Sequence, residues 1–437
     1  MLTTLKNAFK IKEIRNKLIF TFLMLIVVRM GCQLPVPGVN RHFFSEWFAA
    51  LTGDSFSFFN AFTGGSFENM SLFALNITPY ITSSIIIQLL TIAIPKLEEM
   101  QKDGEEGRKK LASITRYVTV ALALIESTAM AIGFGRQGLM ENFNALNVIT
   151  VIAALTAGSA FLMWIGERIT ENGVGNGISI VLTINIISRM PSDLAGLYNQ
   201  FVKGKAVAVS VLAALVILAI IVAMVILVII LNDATRKIPV QYAKKIQGRK
   251  TVGGQSTFIP LKVNTAGVIP IIFAQSIMQF PVVICQLAGY NGTGFWAHVL
   301  RALNSSYWCN PSELVYSIGL VIYIALVIFF AYFYTSITFN PLEVANNMKK
   351  QGGFIPGIRP GKPTSDYLTK ILNYLIFIGA CGLTIVCVIP YFFNGVFGAS
   401  VSFGGTSLII IVSVLIETMK QIESQMLVRN YKGFLND

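Results

Sequence analysis

Ten apolar runs recur along this chain, near residues 18–38, 72–94, 112–134, 148–166, 177–190, 206–231, 266–288, 314–338, 368–392 and 403–418. About 20 apolar residues carry a helix across a bilayer, and inside one only helices and closed barrels satisfy every backbone polar group. Runs of this number and length predict an all-α polytopic membrane protein with ten transmembrane helices. The 437 residues are 54% hydrophobic and only 13% charged, as that class requires. The fifth run, at 14 residues, is short for a span. It is kept because without it the charge alternation along the chain breaks.

That alternation sets the orientation. Of the 34 Lys and Arg, 27 fall on the N-terminal segment, the loops 95–116, 167–176, 232–265 and 339–370, and the C-terminal tail. The other 7 are Arg29, Arg41, Arg136, Arg189, Lys203, Lys205 and Arg301. Basic residues accumulate on cytoplasmic loops, so both termini are expected in the cytoplasm. No cleavable signal is expected, because Lys6, Lys10, Lys12, Arg15 and Lys17 lead straight into a run long enough to span.

Several function classes fall away. Glu126 is the one ionisable residue well inside a span, whereas ion-coupled transporters carry intramembrane relays. There is no G-x-x-x-x-G-K-[ST] loop, so any ATP must be hydrolysed by a partner. Five cysteines without CxxC spacing indicate neither a disulfide framework nor a zinc site. With His42 and His298 the only histidines, no catalytic site and no cofactor is expected.

One run is irregular. Ser57 to Pro95 reads SFFNAFTGGSFENMSLFALNITPYITSSIIIQLLTIAIP. A short apolar piece is broken at Gly64 and Gly65, crosses polar ground at Glu68 and Asn69, and only then becomes a full span. Backbone that bends at membrane depth is tolerated inside protein or beside a water-filled cavity. The stretch therefore predicts a re-entrant half-helix, a bend and a pore-lining helix. Two cytoplasmic loops are also too structured to be plain connectors. In 232–265, Ile238, Val240 and Tyr242 alternate with Pro239 and Gln241, and a second strand-like run covers 257–263. Turn chemistry lies between them, which predicts a hairpin finger with Arg249 and Lys250 near its tip. In 339–367, a short helix at LEVANNMKK precedes GGFIPGIRPGKP, an irregular tip presenting Arg359 and Lys362. Basic projections of this kind suit RNA phosphates or an acidic protein face.

At this point the residues match a known family. AFTGGSFENMSLFALNITPYITSSIIIQLL resembles the plug and second helix of the SecY family, central subunits of the general protein-secretion channel. WIGERITENGVGNGISI, RKIPVQYAKKIQGRKTVGGQSTFIPLKVNTAGVIPIIFAQS, FYTSITFNPLEVANNMKKQGGFIPGIRPGKPT and FGGTSLIII continue the resemblance in order over about residues 15 to 430.

The resemblance implies two five-helix halves, 1–192 and 193–437, forming an inverted pseudo-repeat around an hourglass pore. It places a plug at about 60–75, including Phe62, Gly64, Gly65, Phe67 and Asn69. It places a constricting aliphatic ring on Ile81, Ile85, Ile178, Leu182, Ile272 and Ile410. A lateral gate between spans 2–3 and 7–8 would carry Ser84, Gln88, Glu126 and Gln275, with Glu126 expected to meet Gln88 or Gln275. Arg249, Lys250, Arg359 and Lys362 would dock the ribosome, through its RNA phosphates, or the SecA motor ATPase. SecE-like and SecG-like small membrane subunits, signal sequences, nascent polypeptides and membrane lipids complete the implied partners. The implied function is a protein-conducting channel in a bacterial plasma membrane that also releases apolar segments sideways into lipid. The competing readings are a secondary transporter with inverted repeats, or an insertase whose short fifth run lies in the interface.

Overall fold

A computed structural model of the chain describes residues 6, 8–50, 63–140, 143–203, 207–242, 245–247, 250–252, 256–287, 294–311, 313–397 and 405–433. Helix α1 (Lys12–Gly31) covers most of the first run and stops ahead of Pro35 and Pro37. A short helix α2 (Arg41–Ala50) follows. Then comes α3 (Thr78–Ala93), with Pro79 in its first turn, where a missing N–H costs nothing. Ile94, which precedes Pro95, is extended (ψ 109°). Helix α4 (Pro95–Lys102) therefore leaves at 104° to α3.

The chain continues through α5 (Gly104–Arg136), α6 (Ala145–Asn172), α7 (Gly177–Phe201) and α8 (Val207–Asp233). After the loop 234–268 come α9 (Ile269–Leu287), α10 (Phe295–Leu303) and α11 (Ile318–Thr338). Helices α12 (Pro341–Lys350), α13 (Lys362–Phe397) and α14 (Gly405–Gly433) complete the described residues. Each of the ten apolar runs coincides with one helix: α1, α3, α5, α6, α7, α8, α9, α11, α13 and α14. Among the described residues, six helices are long and apolar enough to cross a membrane alone, and the bent pair α3–α4 makes a seventh.

The fifth run is longer than its apolar core suggested. Helix α7 has 25 residues and carries Pro191 in its interior. At 1.5 Å per residue that is about 38 Å, enough for the roughly 30 Å hydrocarbon layer. Its second half is polar and mostly exposed, with Asp193 and Leu197 its buried residues. The expected half-helix ahead of α3 falls mainly on residues outside the described set. From 64 to 77 the chain is a succession of turns, apart from a bridge residue at Ser71.

The apolar interior divides along the chain. One cluster joins Val36, Phe44, Phe67, Phe134 and Leu155, from α2, the turns before α3, α5 and α6. A second joins Val228, Ile271, Tyr323, Val386 and Ile409, from α8, α9, α11, α13 and α14. A third, aliphatic cluster links the two regions, with Leu182, Ile186, Ile410 and Val414 packed against Ile81 and Ile272.

Between α8 and α9, β1 (Thr235–Tyr242) pairs antiparallel with β4 (Ser256–Lys262), in register from Thr235↔Lys262 to Gln241↔Ser256. Between them β2 (Lys245–Gln247) and β3 (Lys250–Val252) form a smaller hairpin. The alternation read in β1 holds, with Ile238 and Val240 buried and Pro239 and Gln241 exposed. The two loops are not separate projections. Strand β5 (Gly353–Phe354), from the second loop, adds to the free edge of β1 to give the order β4–β1–β5. Ile238, Val240, Leu261, Met348, Ile355, Leu368 and Leu375 then form one core under both loops. Helix α13 has 36 residues, about 54 Å, so it outruns the bilayer and reaches this core.

Candidate functional site

A cavity of about 550 Å³ opens where α3, α7, α9 and α14 converge. Its walls include Ile81 and Ile85 of α3, Ile178 and Leu182 of α7, Ile272 of α9, and Ile410 of α14. All six residues placed on the ring thus line one space. Residues four apart share a helix face, which turns each pair inward together. Val268 and Val414 join them. Val414 lies one turn beyond Ile410 and was accessible to the same spacing rule; Val268 precedes the first turn of α9, where helical periodicity gives no signal.

The cavity is charged at its other end. Arg116, Glu167, Glu171 and Asn176 line it, and Arg116 Nε donates to Glu167 Oε1 at 2.7 Å, tying α5 to α6. Ser84 and Gln88 also face the cavity from α3. Helix α5 approaches α9 where spans 2–3 meet spans 7–8. Gln275 is turned away from that seam: it is buried, and its Oε1 accepts from the Tyr391 hydroxyl of α13 at 3.0 Å. Glu126 is partly buried and, among the described residues, forms no hydrogen bond with Gln88 or Gln275.

The turns before α3 are held from three sides. Their base is stitched by backbone: Val36 N donates to Met70 O at 3.1 Å and Leu72 N to Leu34 O at 2.8 Å. Phe67 is buried, edge-on to Phe44 and Phe134. Asn69 donates to the Gly65 carbonyl at 2.9 Å and accepts from Arg41 Nη2 at 2.8 Å. Glu68 Oε2 accepts from Arg189 Nη1 of α7 at 3.0 Å. Gly64 lies flat against α7 with φ +64°, and a Cβ there would stand 2.6 Å from the Asn185 carbonyl oxygen. Only glycine fits that approach and that backbone.

Beneath, Arg29 Nη1 donates to Asn185 Oδ1 at 3.3 Å and Asn185 Nδ2 to Asn76 Oδ1 at 3.1 Å. Phe62 lies outside the described residues. Asn185 and Arg189 were not singled out in the sequence, although polar residues four apart in an apolar run were a usable signal. Of the four residues expected to dock a partner, Arg359 and Lys362 are exposed, Lys250 stands opposite Gln247 where the β2–β3 hairpin closes, and Arg249 lies outside the described residues.

The SecY family profile matches residues 71–419. The chain belongs to the SecY family. Among SecY relatives, it is 44% identical over 442 residues to "Protein translocase subunit SecY" of Halalkalibacterium halodurans, with all of both chains covered. Among solved structures it superposes with TM-score 0.63 and 17% identity on "The plug domain of the SecY protein stablizes the closed state of the translocation channel and maintains a membrane seal". That match covers 94% of this chain and 92% of that one. It also superposes on "Sec61 in the Canine ribosome-channel complex from the endoplasmic reticulum", with TM-score 0.59, 16% identity and coverage of 94% and 93%. The helical, multi-pass SecY channel fold is therefore this chain's fold.

Proposed function

We propose that this SecY-family chain is a channel that passes unfolded polypeptides across a bacterial plasma membrane and releases apolar segments sideways into the bilayer. The observation that carries the reading is the single cavity lined by Ile81, Ile85, Ile178, Leu182, Ile272 and Ile410. A narrow aliphatic neck excludes water and ions when closed and closes softly around a passing chain. Residues 1–192 and 193–437 act as two halves, with the ring between them. Residues 60–75 plug the closed state from the outer side, and α3 and α5 part from α9 and α11 for lateral release.

The chain performs no bond chemistry. The driving force comes from translation or from a SecA-type ATPase, docked through Arg249, Lys250, Arg359 and Lys362. SecE-like and SecG-like subunits complete the assembly, and both termini face the cytoplasm. A secondary transporter would need polar substrate contacts at mid-membrane, where this cavity is aliphatic. The test is reconstitution of the chain and its small subunits into proteoliposomes with a motor ATPase. Protease protection of an added secretory precursor, dependent on ATP, is the expected result. Uptake of small labelled solutes with no protected precursor would favour a transporter instead.

A further inference from the structure

We propose that the face of α7 bearing Asn185 and Arg189 is a latch that holds the plug shut and sets the threshold for opening. The proposal rests on the channel reading above. Three observations converge on it. Asn185 and Arg189 are one helical turn apart, so they share a face of α7, and both engage the turns before α3. Arg189 grips Glu68 at 3.0 Å, and the Asn185 carbonyl oxygen is the surface on which Gly64 rests. The base of the plug is fixed independently of that face, through the backbone bonds of Met70 and Leu72 to residues 34–36. What can leave is therefore the segment ahead of Met70, whose own backbone is in the left-handed region at φ +42°.

The strength of the latch follows from its surroundings. Arg189 and Glu68 side chains are 21% and 38% exposed, so the pair is neither free in water nor sealed in the interior. A fully buried pair would strand an uncompensated charge on opening. Here, water entering an open pore solvates both partners, and release stays reversible. A partly exposed pair of this kind shifts a two-state equilibrium by about five-fold.

The experiment measures resting ion conductance and export of a precursor with a weakened signal sequence, using the full chain with its small subunits in planar bilayers and proteoliposomes. Glu68→Gln and Arg189→Gln should each raise conductance by about five-fold and improve weak-signal export, that being the scale of one such pair. The exchange Glu68→Arg with Arg189→Glu should return both readouts towards the unmodified chain. Deleting residues 60–69 calibrates the unplugged state. If the deletion leaks while both single variants stay as tight as the unmodified chain, the latch is wrong and the channel reading stands. If the exchange leaks as much as or more than the single variants, the pair is not what holds the plug. If even the deletion neither leaks nor conducts a precursor, the channel reading itself fails, and the latch with it.

Discussion

Ile410 is buried against Leu182 and Ile272 where α14 meets α7 and α9. Replacing it with asparagine places an amide in an aliphatic neck, giving water a partner there and weakening the closed state. Ile410→Asn should raise resting ion leak and let precursors with defective signal sequences through, because less binding energy is then needed to shift the equilibrium. Conductance and signal discrimination both equal to the unmodified protein would reduce the residue to a packing role. The six ring positions came from the resemblance; spacing alone gives only that Ile81 and Ile85, and Ile178 and Leu182, share a helix face, and all six line one cavity. Gln275 was not legible in this way. It lies on α9 as expected, but a rotation about the helix axis is decided by a partner more than a hundred residues away, the Tyr391 hydroxyl.

Helix α7 shows what hydropathy misses. Its apolar run ends near Met190 because Pro191, Ser192 and Asp193 follow and the helix continues as a polar segment, so length judged from lipid-like residues came out at 14 where the helix has 25. The strands β1 and β4 were legible from alternation, whereas the addition of β5 was not, since two residues carry no period. That addition joins the loops mechanically. A Cβ on Gly353 would lie 2.9 Å from both Met348 Cγ and Tyr242 Cε1. Gly353→Val should therefore push β5 off the β1 edge, an overpacking cost of about 1–3 kcal/mol. Backbone amide exchange should quicken at 241–242 and 353–354 while the membrane helices stay protected. Exchange unchanged at those amides would mean the two loops are not held by this edge.

Across the whole molecule the formal charge is +13, with most of the excess on the loops 232–265 and 339–370. Arg249→Glu or Arg359→Glu should reduce ribosome or motor docking and precursor translocation while the chain still inserts and folds. Docking by the unmodified chain should fall roughly tenfold between low and physiological salt, as counterions compete for the same phosphates and carboxylates. Docking insensitive to both the substitutions and the salt would leave these charges as orientation signals alone.

The stitching of residues 70–72 to 34–36 has a consequence of a kinetic kind. A stopper that must be recruited arrives at a rate set by its concentration in solution. The proposed plug is tied to its seat by a few residues, so its effective concentration there is fixed by the tether and never diluted. Reclosure is first order, on the nanosecond-to-microsecond scale of loop motion. The membrane is then resealed soon after the tail of each polypeptide clears the neck, without waiting for any other molecule.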